Sequence, residues 1–278
     1  MTYLEAIVLG LVQGLTEFLP VSSSGHLTIL QHFFNIEADR VIIFTVLLHV
    51  GTLFSVTFMY WRDLKELIIE LFVTIKDLVT GKGLRLYENP IRKLGVMMVI
   101  TTLVTAVIGL LFEDIFISFY KSLVPVIIGL VITGTLLWVS ESIKPGKRNI
   151  NHMNFRNAMF IGVMQGIAIC PGISRSGATL VGGLTTKLDR AFAIKYAFLI
   201  SFPAILGSAV LEIGGMMGSP VEVSSIGPIL LGMIIAAISG IFAIKAMITI
   251  VSKYSLKYFS VYVWTISFLL TVYLLFIK

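Results

Sequence analysis

The chain has 278 residues, 57% hydrophobic and only 13% charged, with a mean hydropathy of +0.97. A water-soluble domain carries about 25% charged residues, so this composition excludes a soluble fold and hands part of the surface to lipid. The net charge of +6 does not mark a nucleic-acid partner, because Lys and Arg fall in short connections between apolar stretches, with no aromatic-basic surface beside them.

The opening MTYLEAIVLGLVQG lacks a basic leader and carries Glu5, so it does not read as a cleaved signal peptide. From about Leu4 to Phe34 the chain is apolar but interrupted by PVSSSG (20–25). Uninterrupted apolar spans follow at about 41–61, 93–112 and 123–143, separated by a 62–92 connection whose mixed charges predict an amphipathic segment lying at the headgroups. A second interrupted segment runs from Phe155 to Thr186 around PGISRSG (171–177), and spans at 191–217, 226–252 and 258–277 complete the chain. Each span suffices to cross roughly 30 Å of hydrocarbon. Proline, glycine and paired serines cannot continue a lipid-facing helix, because the freed backbone groups would go unsatisfied. Both interrupted segments are therefore expected to be re-entrant helix–loop–helix hairpins. Cys170 is the sole cysteine, so no intrachain disulfide exists.

The basic residues test this layout. They concentrate in the 62–93 and 144–156 connections, after the second interrupted segment at Lys187, Arg190 and Lys195, and at Lys253 and Lys257. The 113–122 connection offers only Lys121, 35–40 only Arg40, and 218–225 neither Lys nor Arg. Basic connections face the cytoplasm, and they all fall on one side if both interrupted segments are re-entrant. The expected fold is an all-α integral membrane protein: six transmembrane helices plus two re-entrant hairpins.

Each half is then one hairpin followed by three spans, and an odd number inverts the second half. Residues 1–145 form the first inverted repeat (hairpin 4–34) and 150–278 the second (hairpin 155–186), within one functional domain. Sliding the sequence by 152 positions lays 6–25 over 158–177 with seven of twenty identities, among them Gln13 on Gln165, Ser22 on Ser174 and Ser24 on Ser176. Inverted repeats with broken helices place a binding site near the membrane midplane.

The breaks carry the chemistry. They hold Glu17, His26 and Arg175, with hydroxyls on Ser22, Ser23, Ser24, Ser174, Ser176 and Thr179. Ionisable groups at membrane depth are costly and are functional candidates by default. Ser-Gly turns entering helices (Gly25, Gly177) present free N–H groups to an anion, and an arginine between two such turns suits a phosphate or diphosphate. The bland readings are serines bonded to their own helix, a Glu17–Arg175 structural pair and a satisfied His26. His26 follows Ser23 by three residues, so both can face one pocket, the imidazole exchanging a proton as serine attacks phosphorus. Glu17 could orient His26, act as a base, or help hold Mg²⁺ or Ca²⁺ on a diphosphate. One carboxylate is too few for an all-protein cage, and no organic cofactor is expected. His49, inside a span, has two readings, facing the cavity or the favoured one of packing; Glu141 and Lys144 read as an i,i+3 pair, and Glu113 and Asp114 as solvated.

QGLTEFLPVSSSGH (13–26) and PGISRSGAT (171–179) resemble the paired motifs of the bacterial undecaprenyl-diphosphate phosphatases of the bacitracin-resistance type, and the likeness extends over the whole chain. The first motif of that family allows Glu or Gln at the position of Gln13, so a mechanism needing two carboxylates is not supported here. The resemblance implies hydrolysis of undecaprenyl diphosphate to the monophosphate, which recycles the carrier lipid of peptidoglycan synthesis. It also implies the plasma membrane, a site open to its outer face, and a homodimer. It carries roles onto Glu17, Ser23 and His26, with Ser23 as nucleophile, and onto Ser174, Arg175 and Thr179. Two readings compete. One is a transporter or flippase of a lipid-linked anion. The other is the membrane phosphatase class with an SR-x5-H-x3-D signature, which fails because no histidine lies in register after Ser174-Arg175.

Overall fold

The computed structural model describes residues 2–34, 38–144, 146–215 and 226–276; the expectations for 35–37 and 218–225 lie outside them. The described chain is helical: α1 (Tyr3–Phe18), α2 (Ser23–Phe34), α3 (Ala38–Met59), α4 (Trp61–Val79), α5 (Pro90–Leu111), α6 (Glu113–Phe119), α7 (Leu123–Ser140), α8 (Phe155–Ile167), α9 (Arg175–Thr185), α10 (Arg190–Gly215), α11 (Ile226–Lys253) and α12 (Lys257–Phe276). Among the described residues, α5, α7, α10, α11 and α12 are each long and apolar enough to cross a membrane. The sixth expected span corresponds to α3, whose stretch Phe44–Met59 meets α4 at a 90° bend. The protein is a multi-pass helical membrane protein.

Local sequence sets the helix starts. Thr2 and Glu5 form a capping box on α1, Asn89 caps α5 with Pro90 in its first turn, Ser122 caps α7, and Asn154 pairs with Asn157 on α8; each cap satisfies an otherwise orphaned N–H. On α5 the exposed Val99, Leu103, Val107 and Leu110 recur at helical spacing as a lipid face, whereas Leu94, Met97 and Thr101 turn inward. The 62–92 connection is largely helix. Its Arg92 is buried, donating to Glu70 at 2.6 Å and Asp77 at 2.9 Å, which ties α4 to α5.

Packing crosses between the halves. α1 lies against α11, α8 against α5, α3 against both α10 and α11, and α7 against α12. The α1–α11 approach requires glycine: a Cβ at Gly10 would stand 2.5 Å from the Gly232 carbonyl oxygen. The main core cluster joins Phe18 and Val56 from the first half to Leu180, Tyr196, Phe198 and Ile244 from the second. One expected pair is corrected. Glu141 turns from Lys144 to accept from Arg190 at 2.6 Å and from the Leu256 N–H at 3.0 Å, because those donors converge where α7, α10 and α12 end or begin.

Candidate active site

Both interruptions are specific turns. Pro20 disfavours helix at Leu19, which adopts extended backbone and ends α1. Ser22 then takes a left-handed conformation, φ 71°, that costs a non-glycine residue about 1 kcal/mol. Local bonds hold it there: Ser22 Oγ accepts the Gly25 N–H at 3.2 Å, and its carbonyl accepts the His26 N–H at 3.2 Å and His26 Nδ1–H at 2.8 Å. In the second break Gly172 supplies φ 90°, and Ser174 caps α9 by accepting the Gly177 N–H at 3.1 Å. Thr133 of α7 pins this turn, donating to the Gly172 carbonyl at 2.8 Å and accepting the Ser174 N–H at 2.9 Å. The serine pairs Ser22–Ser24 and Ser174–Ser176 each close at 3.2 Å. The breaks touch where Ser176 Oγ donates to the Leu19 carbonyl at 3.1 Å.

At this junction Glu17, with a side chain only 1% exposed, is the hub. Its Oε2 accepts the Ser23 hydroxyl at 2.6 Å and Gln13 Nε2–H at 2.9 Å, and its Oε1 faces the Arg175 guanidinium as an ion pair. An unpaired guanidinium among apolar helices costs several kcal/mol, which accounts for the pairing. A carboxylate that accepts a serine hydroxyl, with a cation on its other oxygen, can draw off the hydroxyl proton while the cation meets an incoming anion.

The expected residues divide into groups. Gln13, Glu17, Ser23 and Arg175 share contacts. Ser22, Ser24, Ser174, Ser176, Gly25 and Gly177 shape the two turns, and Thr179 Oγ1 donates back to the Arg175 carbonyl at 2.8 Å. His26 stands apart: Nδ1–H is committed to Ser22, so Nε2 accepts the Tyr262 hydroxyl at 2.8 Å, and the two rings stack. Glu17 therefore orients Ser23 and Arg175, not His26. The histidine beside it is His49 of α3, whose Nε2 lies 3.6 Å from Glu17 Oε2, which corrects the favoured reading of packing. A histidine inside an apolar span was itself the available signal. Thr133 and Tyr262 gave none, since both sit in spans indistinguishable by pattern from lipid-facing helix.

Among the described residues, no group of three or more His, Cys, Asp or Glu side chains could hold a metal. With Arg175, Ser23 and Gln13 already on its oxygens, Glu17 is not placed to hold a metal ion with the protein alone.

Fold and junction together define the class, a multi-pass membrane protein whose polar site is assembled from two interrupted helices. The chain belongs to the family described as bacitracin resistance protein BacA, whose model matches residues 6–269. It is 47% identical over 266 residues to an undecaprenyl-diphosphatase of Alkaliphilus metalliredigens (strain QYMF), covering 96% of each chain. It is 40% identical to that of Carboxydothermus hydrogenoformans over 95% of this chain and 94% of the relative. Against that of Halothermothrix orenii the identity is 36%, over 98% of both.

Proposed function

We propose that this chain hydrolyses undecaprenyl diphosphate to undecaprenyl phosphate and inorganic phosphate, recycling the carrier lipid of peptidoglycan synthesis and conferring resistance to bacitracin. The observation that carries the reading is the Ser23 hydroxyl held 2.6 Å from Glu17, with Arg175 ion-paired to the same carboxylate, in a chain whose relatives are named undecaprenyl-diphosphatases. Ser23 Oγ attacks the terminal phosphorus and its proton passes to Glu17; the bond to the bridging oxygen breaks and undecaprenyl phosphate leaves. Arg175 neutralises charge on the transferring group. Water then cleaves the phosphoserine. Gln13 Oε1, buried without a hydrogen-bond partner among the described residues, is an acceptor for that water. His26 exchanges a proton with the departing phosphate, its ring held by Tyr262. The turns built by Ser22, Ser24, Gly25, Ser174, Ser176, Gly177 and Thr179 shape the cradle for the diphosphate, with the Gly25 and Gly177 N–H groups and the Thr179 hydroxyl holding the turns themselves. Mg²⁺ or Ca²⁺, arriving with the diphosphate and shared with Glu17, would supply further charge neutralisation.

The proposed topology follows from helix lengths. α1 has 16 residues, α2 12, α8 13 and α9 11, so at 1.5 Å per residue the longest reaches about 24 Å and none crosses the hydrocarbon alone. Each pair is a re-entrant hairpin, the two entering from opposite sides as parts of inverted repeats 1–145 and 150–278. The reciprocal packing of α1 on α11 and α8 on α5 and the matched serine pairs support this symmetry. The basic connections lie in the cytoplasm, the site opens to the outer face of the plasma membrane, and the protein works as a homodimer.

Phosphate release by the purified protein in detergent, from C55 and C15 isoprenyl diphosphates with and without chelator, tests the reading. Release from the C55 substrate is expected. None at all would leave a carrier of lipid-linked anions as the better description.

A further inference from the structure

We infer that His49 is a positioning residue for this reaction, taking the Ser23 proton through Glu17 and passing it to water. The inference rests on the phosphatase reading above and deepens it. Nδ1–H of His49 donates to the Thr45 carbonyl one turn earlier at 2.7 Å. A carbonyl only accepts, so this bond fixes the tautomer and leaves Nε2 as the basic nitrogen. Nε2 faces Glu17 Oε2 at 3.6 Å, and that same oxygen accepts the Ser23 hydroxyl at 2.6 Å. Ser23 Oγ, Glu17 Oε2 and His49 Nε2 therefore lie in a row, with Arg175 on the opposite carboxylate oxygen, and the 3.6 Å Glu17–His49 gap shortens to a hydrogen bond when the proton passes.

Exposure gives the row its direction. The Glu17 side chain is 1% exposed and that of His49 24%. If Glu17 kept the proton, Arg175 would be left as an unpaired cation among apolar helices. The imidazole can carry the proton without stranding Arg175, and its side chain is partly exposed where that of Glu17 is not. His26 does not serve this relay, because its ring nitrogens face the Ser22 carbonyl and the Tyr262 hydroxyl and not Glu17.

The proton count closes on this assignment. As the Ser23 Oγ–P bond forms, the electron pair of the breaking P–O bond leaves on undecaprenyl phosphate. The Ser23 proton moves to Glu17 and on to His49 Nε2. In the second half water oxygen bonds to phosphorus and the P–Oγ bond breaks. One water hydrogen stays on the released phosphate and the other restores Ser23 through Glu17. The proton taken by His49 is the one left over, and it departs from that partly exposed side chain.

The surroundings make the charge of this ring legible. Among the described residues packed against α3, α1 brings Glu17, which carries Arg175 from α9. On α2, His26 is engaged by Tyr262 and His32 lies against the Tyr273 ring. Neither α10 between Ala197 and Leu211 nor α11 between Ile226 and Ile244 has an ionisable residue. The charges of α4 begin at Arg62, beyond the 90° bend that follows Met59, itself about 15 Å along the α3 axis from His49.

The test is the pH profile of phosphate release from C55 diphosphate by the full chain in detergent, for wild type, His49→Gln and His49→Ala. Gln keeps a polar group for Glu17 but cannot carry the proton. The wild-type kcat should lose activity toward acid through an imidazole titration that His49→Gln lacks. At pH 7 kcat for His49→Gln should fall about 10- to 100-fold, with KM within about twofold and an unchanged melting temperature. Added imidazole should restore part of the His49→Ala rate. A His49→Gln enzyme with wild-type kcat and profile overturns the inference, as does a loss confined to KM or to melting temperature, or a folded His49→Ala enzyme that imidazole leaves inactive. No phosphate release from wild type would instead remove the phosphatase reading, and this inference with it.

Discussion

Glu17 and Arg175, carried by different interrupted segments, form an ion pair where the two breaks meet. The contact joins catalysis to folding, since each charge is the other's compensation in an apolar surround. Glu17→Gln and Arg175→Met should each lower turnover by at least about 10² and destabilise the protein by about 3–5 kcal/mol, the cost of a stranded charge. The double variant should regain much of the melting temperature in detergent and none of the activity. A double variant no more stable than its parents would show that the pair does not hold the breaks together.

Serines 23 and 174 should separate chemistry from architecture. Ser23 Oγ points at Glu17, whereas Ser174 Oγ is spent on the Gly177 N–H and on Ser176. Ser23→Ala should abolish phosphate release while melting like wild type. Ser174→Ala should cost about 1 kcal/mol of stability as a lost helix cap and leave measurable turnover. Equal activity losses with equal melting temperatures would mean that the capping account is wrong. Phosphate trapped on Ser23 during turnover would identify the nucleophile; label found only in released phosphate would point to direct attack by water.

The sequence was most readable where physics left few options. Lipid solvation forces long apolar helices, and PVSSSG and PGISRSG cannot lie in such helices unbroken, so the spans and both interruptions were legible from residue types alone. Glu17 and Arg175 were legible as a possible pair because neither charge can stand alone at that depth. Side-chain direction was not legible. Nothing in the spacing of Ser23 and His26 says that one turns to α1 and the other to α12, since the left-handed Ser22 rotates the start of α2. Glu141 had two cations within reach, and tertiary packing chose Arg190 over the nearer-in-sequence Lys144.

Thr133 is the test of how the second break is held. Its hydroxyl donates to the Gly172 carbonyl and accepts the Ser174 N–H, so one side chain satisfies two buried backbone groups. Thr133→Val keeps the shape and strands both, at about 1–3 kcal/mol for each unsatisfied group. Because Arg175 follows Ser174 directly, kcat should fall as well. Melting temperature and phosphate release measured on the same preparation check both; unchanged values would mean that Thr133 only fills space.

Glu141 predicts a pH effect on stability away from the site. Burial pushes its carboxyl upward, but the Leu256 N–H and Arg190 bonds outweigh burial and hold it below the ordinary carboxylate value. A depressed folded value contributes stability above the unfolded value of about 4.3, and that contribution is lost as pH falls through the folded value. Glu141→Gln should therefore lower the melting temperature at pH 7, corresponding to about 1–2 kcal/mol. The gap from wild type should close as the medium is acidified through that lowered folded value. A gap that persists in acid would assign the effect to shape instead of charge.

Tyr262 is the remaining link between α12 and the site. Because His26 Nδ1–H is committed to the Ser22 carbonyl, the Tyr262 hydroxyl must be the donor to Nε2. Tyr262→Phe keeps the stacked ring and deletes one hydrogen bond of about 1 kcal/mol. The histidine then loses its anchor but keeps its tautomer. Turnover should fall by about fivefold with little change in KM, and Tyr262→Leu, which also removes the stack, should fall further. If both variants match wild type in kcat across the pH range, His26 needs no positioning from α12, and its proton-exchange role would have to be assigned elsewhere.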